Sequence, residues 1–154
     1  MRALVVYDTS YGNTALIAEA IRAGLGGDAM AREVETLDLE SHARFDLYVV
    51  GSPTQTGRAT PSIRTWVDRI PADAIRGARF AAFDTRYATT GLLGLAMGVL
   101  GHAAPRIASA LRSRGAIEIA PSEGFIVLGK AGPLAEQEEK RAFAWGESLA
   151  QGLD

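Results

Sequence analysis

The chain has 154 residues and a formal net charge of -2 at pH 7. This length is expected of a single domain, spanning 1–154, with a core of its own. Hydrophobic residues make up 47% of the sequence and charged residues 22%, which is typical of a globular protein without a basic surface for nucleic acid. Cysteine is absent, which excludes disulfides, thiolate metal sites and cysteine nucleophiles. The first strand signal begins at Ala3 and leaves no room for a signal peptide, so we expect a cytoplasmic protein.

The N-terminal segment combines a strand, a polar turn and a helix. Ala3 to Tyr7 is apolar on both faces, which predicts a central parallel strand. Leu16, Ile17, Ala20 and Ile21 recur at helical spacing. Between them lies a turn of mostly hydroxyl and amide side chains around one glycine: Thr9, Ser10, Tyr11, Gly12, Asn13 and Thr14. Free N–H groups at a helix start and short polar side chains together favour a phosphate site, in which Gly12 permits close backbone approach or positive φ. The alternative is an ordinary turn in which Ser10 or Asn13 caps the helix.

The middle of the chain predicts two more strands and one helix. Arg32 to Leu37 mixes charged and apolar residues as an edge strand would, and Leu47 to Gly51 has the continuous apolar character of a buried strand. A polar loop then leads to Thr60, a natural N-cap with Pro61 at the first helical position. The apolar face of this helix consists of Ile63, Trp66, Val67 and Ile70.

The second half predicts the remaining elements. Arg79 to Phe83 is the next strand, and Ala116 to Ile119 and Gly124 to Leu128 are two halves of the last strand, interrupted around Pro121. A helix with Ile107, Ala108 and Leu111 facing inward runs from about Pro105 to Gly115, and a closing helix runs from about Leu134. The apolar run from Gly91 to Ala104 is expected to pack on the sheet. Its alternative is an exposed patch used for homodimerisation or for an apolar electron acceptor, and it is too short to span a membrane.

The alternation of strands and helices predicts a three-layer α/β/α fold, a doubly wound five-stranded parallel sheet in the order 2-1-3-4-5. In this topology, ligands bind beyond the carboxyl ends of the strands. Response-regulator receivers share the topology. They need a phosphate-accepting aspartate at the end of the third strand, whereas this strand ends in Val50, Gly51 and Ser52.

The turn after the first strand resembles a known family. Its pattern, Thr9-x-Tyr11-Gly12-Asn13-Thr14, is similar to the flavodoxin phosphate loop, usually written Thr/Ser-x-Thr-Gly-x-Thr and placed at the same point of the chain. Tyr11 replaces the threonine of many flavodoxins, so a phenol stands in place of a small hydroxyl. The P-loop lysine and the G-x-G-x-x-G fingerprint are both missing here. The resemblance implies a bound FMN whose phosphate lies in this loop.

Two further segments carry the resemblance. The stretch from Gly51 resembles the flavodoxin loop that wraps the isoalloxazine ring, which implies flavin contacts from Pro53, Thr54, Gln55, Thr56 and Gly57. The loop from Asp84 to Gly91 occupies the position of the second flavin loop, which implies contacts from Asp84, Thr85, Arg86 and Tyr87, with Tyr87 lying flat on the ring. The alternatives are a polar surface loop and a half-exposed tyrosine. Gln55 and Thr56 stand where an aromatic residue is frequent, which predicts looser flavin binding.

The sequence shows no catalytic side-chain constellation. His42 and His102 have no partner at metal-ligand spacing, so any reaction would be carried by the cofactor. The resemblance implies an FMN electron carrier that docks redox partner proteins. One alternative is an FMN-dependent NAD(P)H:quinone-type reductase acting on a small acceptor, and another is a flavin-free interaction module. Arg58 and Arg86, in the two ring loops, predict a raised flavin potential unless they pair with carboxylates.

Overall fold

The computed structural model describes residues 1–88 and 91–153. Its strands are β1 (Arg2–Tyr7), β2 (Asp28–Glu33), β3 (Leu47–Pro53), β4 (Arg79–Tyr87), β5 (Ile117–Glu118) and β6 (Glu123–Val127). Its helices are α1 (Asn13–Leu25), α2 (Pro61–Arg69), α3 (Ala72–Ile75), α4 (Gly91–Leu100), α5 (Ala103–Ser113) and α6 (Glu138–Gln151). Thr60 accepts a hydrogen bond from the Ile63 N–H with Pro61 at the first position of α2, so this predicted helix start is confirmed.

The sheet is parallel, and the predicted strand order is confirmed. The order is β2-β1-β3-β4-β5, and β6 also pairs with β4. β5 pairs with the start of β4 through Arg79 and Ile117, and β6 with its end through Tyr87 and Val127. β5 and β6 are therefore the two halves of one interrupted edge strand, as the sequence predicts.

Successive side chains of β1 point to opposite faces of the sheet and therefore belong to two separate hydrophobic cores. Ala3 and Val5 join the core under α1 and α6, while Leu4 and Val6 join the core under α2 and α5. Every residue of this quartet is almost fully buried. The sheet is therefore covered by helices on both faces, which leaves its carboxyl edge as the place where loops converge.

Helices α1 and α6 approach each other through glycine. A Cβ atom added at Gly24 would lie 2.1 Å from the Phe143 carbonyl oxygen, and one added at Gly146 would lie 2.4 Å from the Ile21 carbonyl oxygen. Both distances are shorter than any real contact, so the two backbones touch without a side chain between them. This contact fixes α1 against the C-terminal helix.

Several boundaries differ from those predicted. The second strand covers Asp28–Glu33 rather than Arg32 to Leu37. Its pairing with β1 ends at Glu33, and a 3-10 turn (Val34–Thr36) follows. Strand β4 continues beyond Phe83 to Tyr87 because β3 and β6 pair with its extension. The closing helix begins at Glu138, since Leu134 bridges to Val127 instead of starting a helix.

The prediction that the apolar run packs on the sheet is wrong for three residues on one face of α4. Leu92, Leu95 and Val99 are 87%, 71% and 88% exposed. The side chains of Leu93 and Met97 lie outside those described. Within the described ranges, no helix combines the length and apolar character needed to cross a membrane.

Candidate functional site

The three predicted loop regions converge at the carboxyl edge of the sheet, where two adjoining clefts lie. The large cleft has a volume of about 400 Å³ and the small cleft about 60 Å³. Both are lined by Ser10, Tyr11, Pro53, Thr54, Arg86, Tyr87 and Lys130. The small cleft adds Thr9, Asn13, Thr14, Thr85 and Val127, and the large cleft adds Gln55, Thr56, Gly57, Ala88, Leu100, Gly101 and His102. Among the predicted site residues, Gly12 and Asp84 line neither cleft.

The turn before α1 presents backbone N–H groups to the small cleft. Gly12 is the N-cap residue, its φ of 92° is one of the two reasons that the sequence offers for a glycine here, and it has no side-chain cap. Capping by Ser10 or Asn13 is therefore not what forms this turn. The Gly12 N–H donates to Thr9 Oγ1 at 2.9 Å, whereas the N–H groups of Asn13 and Thr14 have no acceptor within residues 1–88 and 91–153. Unpaired N–H groups at the positive end of a helix are suited to an anion.

Two threonine hydroxyls meet at the floor of the small cleft. Thr14 Oγ1 and Thr85 Oγ1 lie 2.8 Å apart, and both residues are at least 95% buried. Only one hydrogen lies between two paired hydroxyls, so the other hydroxyl hydrogen can be donated elsewhere. The pair thus offers one directed donor to a group in the small cleft.

The segment after β3 forms a tight turn that reaches the first loop. Thr56 and Gly57 have positive φ values of 50° and 78°, and the Gln55 and Arg58 backbones exchange hydrogen bonds at 2.8 and 3.0 Å. This is the type I′ turn geometry. Gln55 Nε2 donates to Ser10 Oγ at 3.3 Å, so the turn and the first loop together form one wall of the large cleft.

Two of the predicted site residues hold the N-terminus of α5. Thr54 Oγ1 accepts the Ala103 N–H at 3.1 Å, and Asp84 Oδ2 accepts the Ala104 N–H at 2.8 Å. Asp84 is fully buried and also receives two hydrogen bonds from the Arg86 guanidinium, at 2.6 and 2.8 Å. The Asp84 carboxylate therefore positions β4 and α5 beneath the large cleft.

The pair with Asp84 compensates the charge of Arg86, which is the outcome in which this arginine does not raise the flavin potential. Arg58, the other arginine of the two ring loops, lines a separate groove between α2 and α5 together with Arg64, Asp68 and Arg106. Arg86 therefore follows the alternative of a carboxylate pair, and Arg58 lines neither of the two clefts. Lys130, which the sequence analysis did not select, is exposed and lines both clefts.

Three aromatic rings line the large cleft. Tyr11 is 54% exposed, Tyr87 ends β4, and His102 precedes α5. Burial lowers the pKa of His102, the nearby positive charge of Arg86 lowers this pKa further, and Asp84 opposes both effects. Leu100 also lines the cleft and connects it to the exposed apolar face of α4. The sequence does not mark His102 as a cleft residue, because its only signal is an isolated polar residue at the end of an apolar run.

No protein-family model matches this chain, and no curated protein sequence matches it. Among solved structures, it is similar to a flavodoxin from the domain Archaea, with a TM-score of 0.78, 23% identity and 99% of both chains covered. It is also similar to a Streptococcus pneumoniae flavodoxin, with a TM-score of 0.72, 18% identity and 98% and 99% of the two chains covered. It is also similar to a flavodiiron protein from Giardia intestinalis, with a TM-score of 0.74 and 18% identity. That match covers 99% of this chain and 36% of the flavodiiron protein. The chain therefore has the flavodoxin-like fold.

Proposed function

We propose that this flavodoxin-fold chain binds one FMN at the carboxyl edge of its sheet and transfers electrons through it. The observation that carries the proposal is the pair of adjoining clefts of different character. The small cleft combines free helix N–H groups with hydroxyls from Thr9, Ser10, Thr14 and Thr85, which is a donor set suited to a phosphate. The large cleft is lined by the aromatic rings of Tyr11, Tyr87 and His102, which suits a planar ring system.

The residues of the two clefts fit the two ends of FMN. Under the proposal, Thr9, Ser10, Asn13 and Thr14 hold the phosphate, with Thr85 below it. Pro53, Thr54, Gln55, Thr56 and Gly57 hold one side of the ring and Tyr87 the other, while Tyr11 closes the opening between the clefts. Gly12 and Asp84 act through the backbone and through α5. FMN, when bound, supplies the ability to take up and release electrons, and the protein excludes water and sets the surrounding charge.

Titration of the purified protein with FMN and with riboflavin tests the proposal. We expect quenching of flavin fluorescence at a 1:1 ratio, a yellow complex and clearly weaker binding of riboflavin, since riboflavin lacks the phosphate. Equal binding of both ligands would contradict the assignment of the small cleft. The absence of any flavin binding would favour the flavin-free interaction module.

Transfer to redox partner proteins is our first choice for the fate of the electrons. It is supported by the two flavodoxins of similar structure, each of which matches this chain over 99% of its own length. We expect the photoreduced FMN complex to reduce an added electron-accepting protein, such as cytochrome c, without NAD(P)H consumption in the absence of a reductase. Rapid NAD(P)H oxidation by the protein alone would contradict a pure carrier.

One observation favours the reductase alternative. The apolar face of α4 lies open next to the large cleft, with Leu92, Leu95 and Val99 exposed and Leu100 in the cleft wall. An exposed apolar helix is suited to an apolar acceptor such as a quinone, or to a second copy of the chain. Leu95→Ser tests both uses. A lower quinone turnover favours the reductase, a lower mass in light scattering favours a homodimer, and no change in either contradicts both.

A further inference from the structure

His102 stands at a fixed position in the wall of the large cleft. It occupies the N-cap position of α5, and the two N–H groups that follow it are held by Thr54 and Asp84 at 3.1 and 2.8 Å. These two bonds hold the backbone directly after His102 against the end of β3 and against β4. Its Nδ1 atom is buried and has no hydrogen-bond partner within the described part of the chain.

The unpaired Nδ1 decides which form of the ring is stable. A proton on Nδ1 would be a buried donor without an acceptor, which is energetically costly. A lone pair at the same place costs less, so the neutral ring carries its proton on Nε2. Tautomers of this kind follow from the hydrogen-bond pattern around the ring.

The charges around His102 also disfavour its protonated form. The neighbouring strand β4 contributes Asp84 and Arg86, and the carboxylate of Asp84 is already engaged by the Arg86 guanidinium. Lys130 and the phenols of Tyr11 and Tyr87 face the same cleft, and Arg106 follows on α5. Burial and Arg86 both lower the pKa of His102. The ring is therefore a neutral donor at pH 7.

We propose that His102 is a flavin-binding residue that donates a hydrogen bond from Nε2–H to an acceptor atom on the isoalloxazine. The inference rests on the proposed FMN function and deepens it. The ring system carries uncharged carbonyl oxygens and ring nitrogens on its polar edge, and a neutral donor suits these acceptors better than it suits a phosphate. His102 thus belongs to the large cleft and selects for the ring end of the ligand.

Nitrogen NMR of the histidines tests the tautomer before any flavin is added. The chain has two histidines, and His42 is a matched control because it is exposed and pairs with Asp73 at 2.7 Å outside both clefts. We expect His102 to show the neutral Nε2–H form at pH 7. On addition of FMN, the Nε2 signal of His102 should shift while the signals of His42 stay in place.

Three variants test the hydrogen bond itself. His102→Phe keeps a ring without a donor, and we expect it to weaken FMN and riboflavin binding equally, by roughly three- to tenfold. His102→Gln keeps an amide nitrogen near the Nε2 position and should restore binding to within about twofold. His42→Gln should bind both ligands like the wild type. Equal loss for the two flavins distinguishes a ring contact from a phosphate contact.

The outcomes separate this inference from the function on which it rests. FMN binding with unmoved His102 signals, an Nδ1–H or charged His102 at pH 7, or wild-type affinity in His102→Phe overturns the inference alone. A loss in His102→Phe that His102→Gln does not restore also overturns it, since packing rather than a donor would then matter. Failure of the wild type to bind any flavin overturns both.

Discussion

The side-chain oxygens of Thr14 and Thr85 lie 2.8 Å apart, which joins the start of α1 to the end of β4 at the floor of the small cleft. Under the proposed function, this pair gives its free hydrogen to the FMN phosphate. Thr14→Val would remove a hydroxyl without changing the shape of the site. We expect FMN binding to weaken by about 1–3 kcal/mol, because a desolvated phosphate oxygen would lose its partner.

Riboflavin and a surface threonine supply the controls for Thr14→Val. The loss should be much smaller for riboflavin, which brings no phosphate to the small cleft. Thr65→Val makes the same chemical change on the exposed surface of α2 and should leave both affinities unchanged. Equal losses for FMN and riboflavin in fluorescence titrations would show that Thr14 does not contact the phosphate.

Asp84→Asn should reduce stability more than flavin affinity. The Asp84 side chain is fully buried, and its carboxylate is the counter charge of the Arg86 guanidinium. Because the substitution removes this counter charge, we expect a loss of about 2–3 kcal/mol in the free energy of unfolding. Urea unfolding of the flavin-free protein measures this loss. Asp73→Asn, at an exposed pair with His42, should leave the unfolding curve unchanged. A stable Asp84→Asn protein with impaired FMN binding would instead make Asp84 a direct ligand.

Lys130 lines both clefts, so we expect this side chain, rather than Arg58 or Arg86, to raise the flavin potential. A positive side chain at the cleft favours the negative charge that reduction adds to the ring. Because Lys130 is exposed, screening leaves an effect of about 20–50 mV on the midpoint potential. Potentiometric titration of Lys130→Gln should show this decrease, while Arg58→Gln, in the groove between α2 and α5, should not. A decrease of the midpoint potential in Arg58→Gln but not in Lys130→Gln would show that Arg58 is the residue that raises the potential.

The contact of Glu138 with β6 predicts a pH-dependent stability. Its carboxylate accepts the Ile126 N–H at 2.7 Å and pairs with Arg141 at 2.8 Å. The Arg141 hydrogen bond holds the pKa of Glu138 below its ordinary value of 4.5, despite partial burial. A lowered folded-state pKa stabilises the fold above 4.5, and this contribution is lost as the pH falls through the folded-state pKa.

Unfolding of Glu138→Gln at a series of pH values measures that contribution. The variant should be less stable than the wild type at pH 7, and the difference should shrink progressively below pH 4.5. Glu139→Gln changes the exposed neighbouring carboxylate and should follow the wild-type profile. A stability difference that is constant between pH 7 and pH 3 would show that charge is not the reason for the loss.

The predictable parts of this structure are those set by local sequence. The strand from Ala3, the turn at Gly12 and the helix that follows are adjacent in the chain, and the interrupted last strand is visible from the break at Pro121. Strand β2 was misplaced because its register is set by pairing with β1, a tertiary effect that outweighs the weak propensity of its residues.

The missed parts of the site depend on contacts between distant segments. His102 and Lys130 reach the clefts only because α5 and the loop after β6 return to the same edge of the sheet. From the sequence, Asp84 is expected to be a polar loop residue. Its role becomes visible only in the hydrogen bond that it accepts from the N-terminus of α5. The exposure of Leu92, Leu95 and Val99 is likewise not visible in the sequence, because an apolar run by itself predicts burial.

The glycine contact between α1 and α6 makes the far end of the molecule part of the ligand site. Helix α1 is a stiff rod of about 20 Å with Gly24 near one tip and the small cleft at the other. Any side chain wedged between the two helices would tilt that rod and carry Thr14 away from Thr85. The packing of α6 against α1 therefore keeps the Thr14 and Thr85 hydroxyls within hydrogen-bonding distance, although none of the residues of α6 lines either cleft.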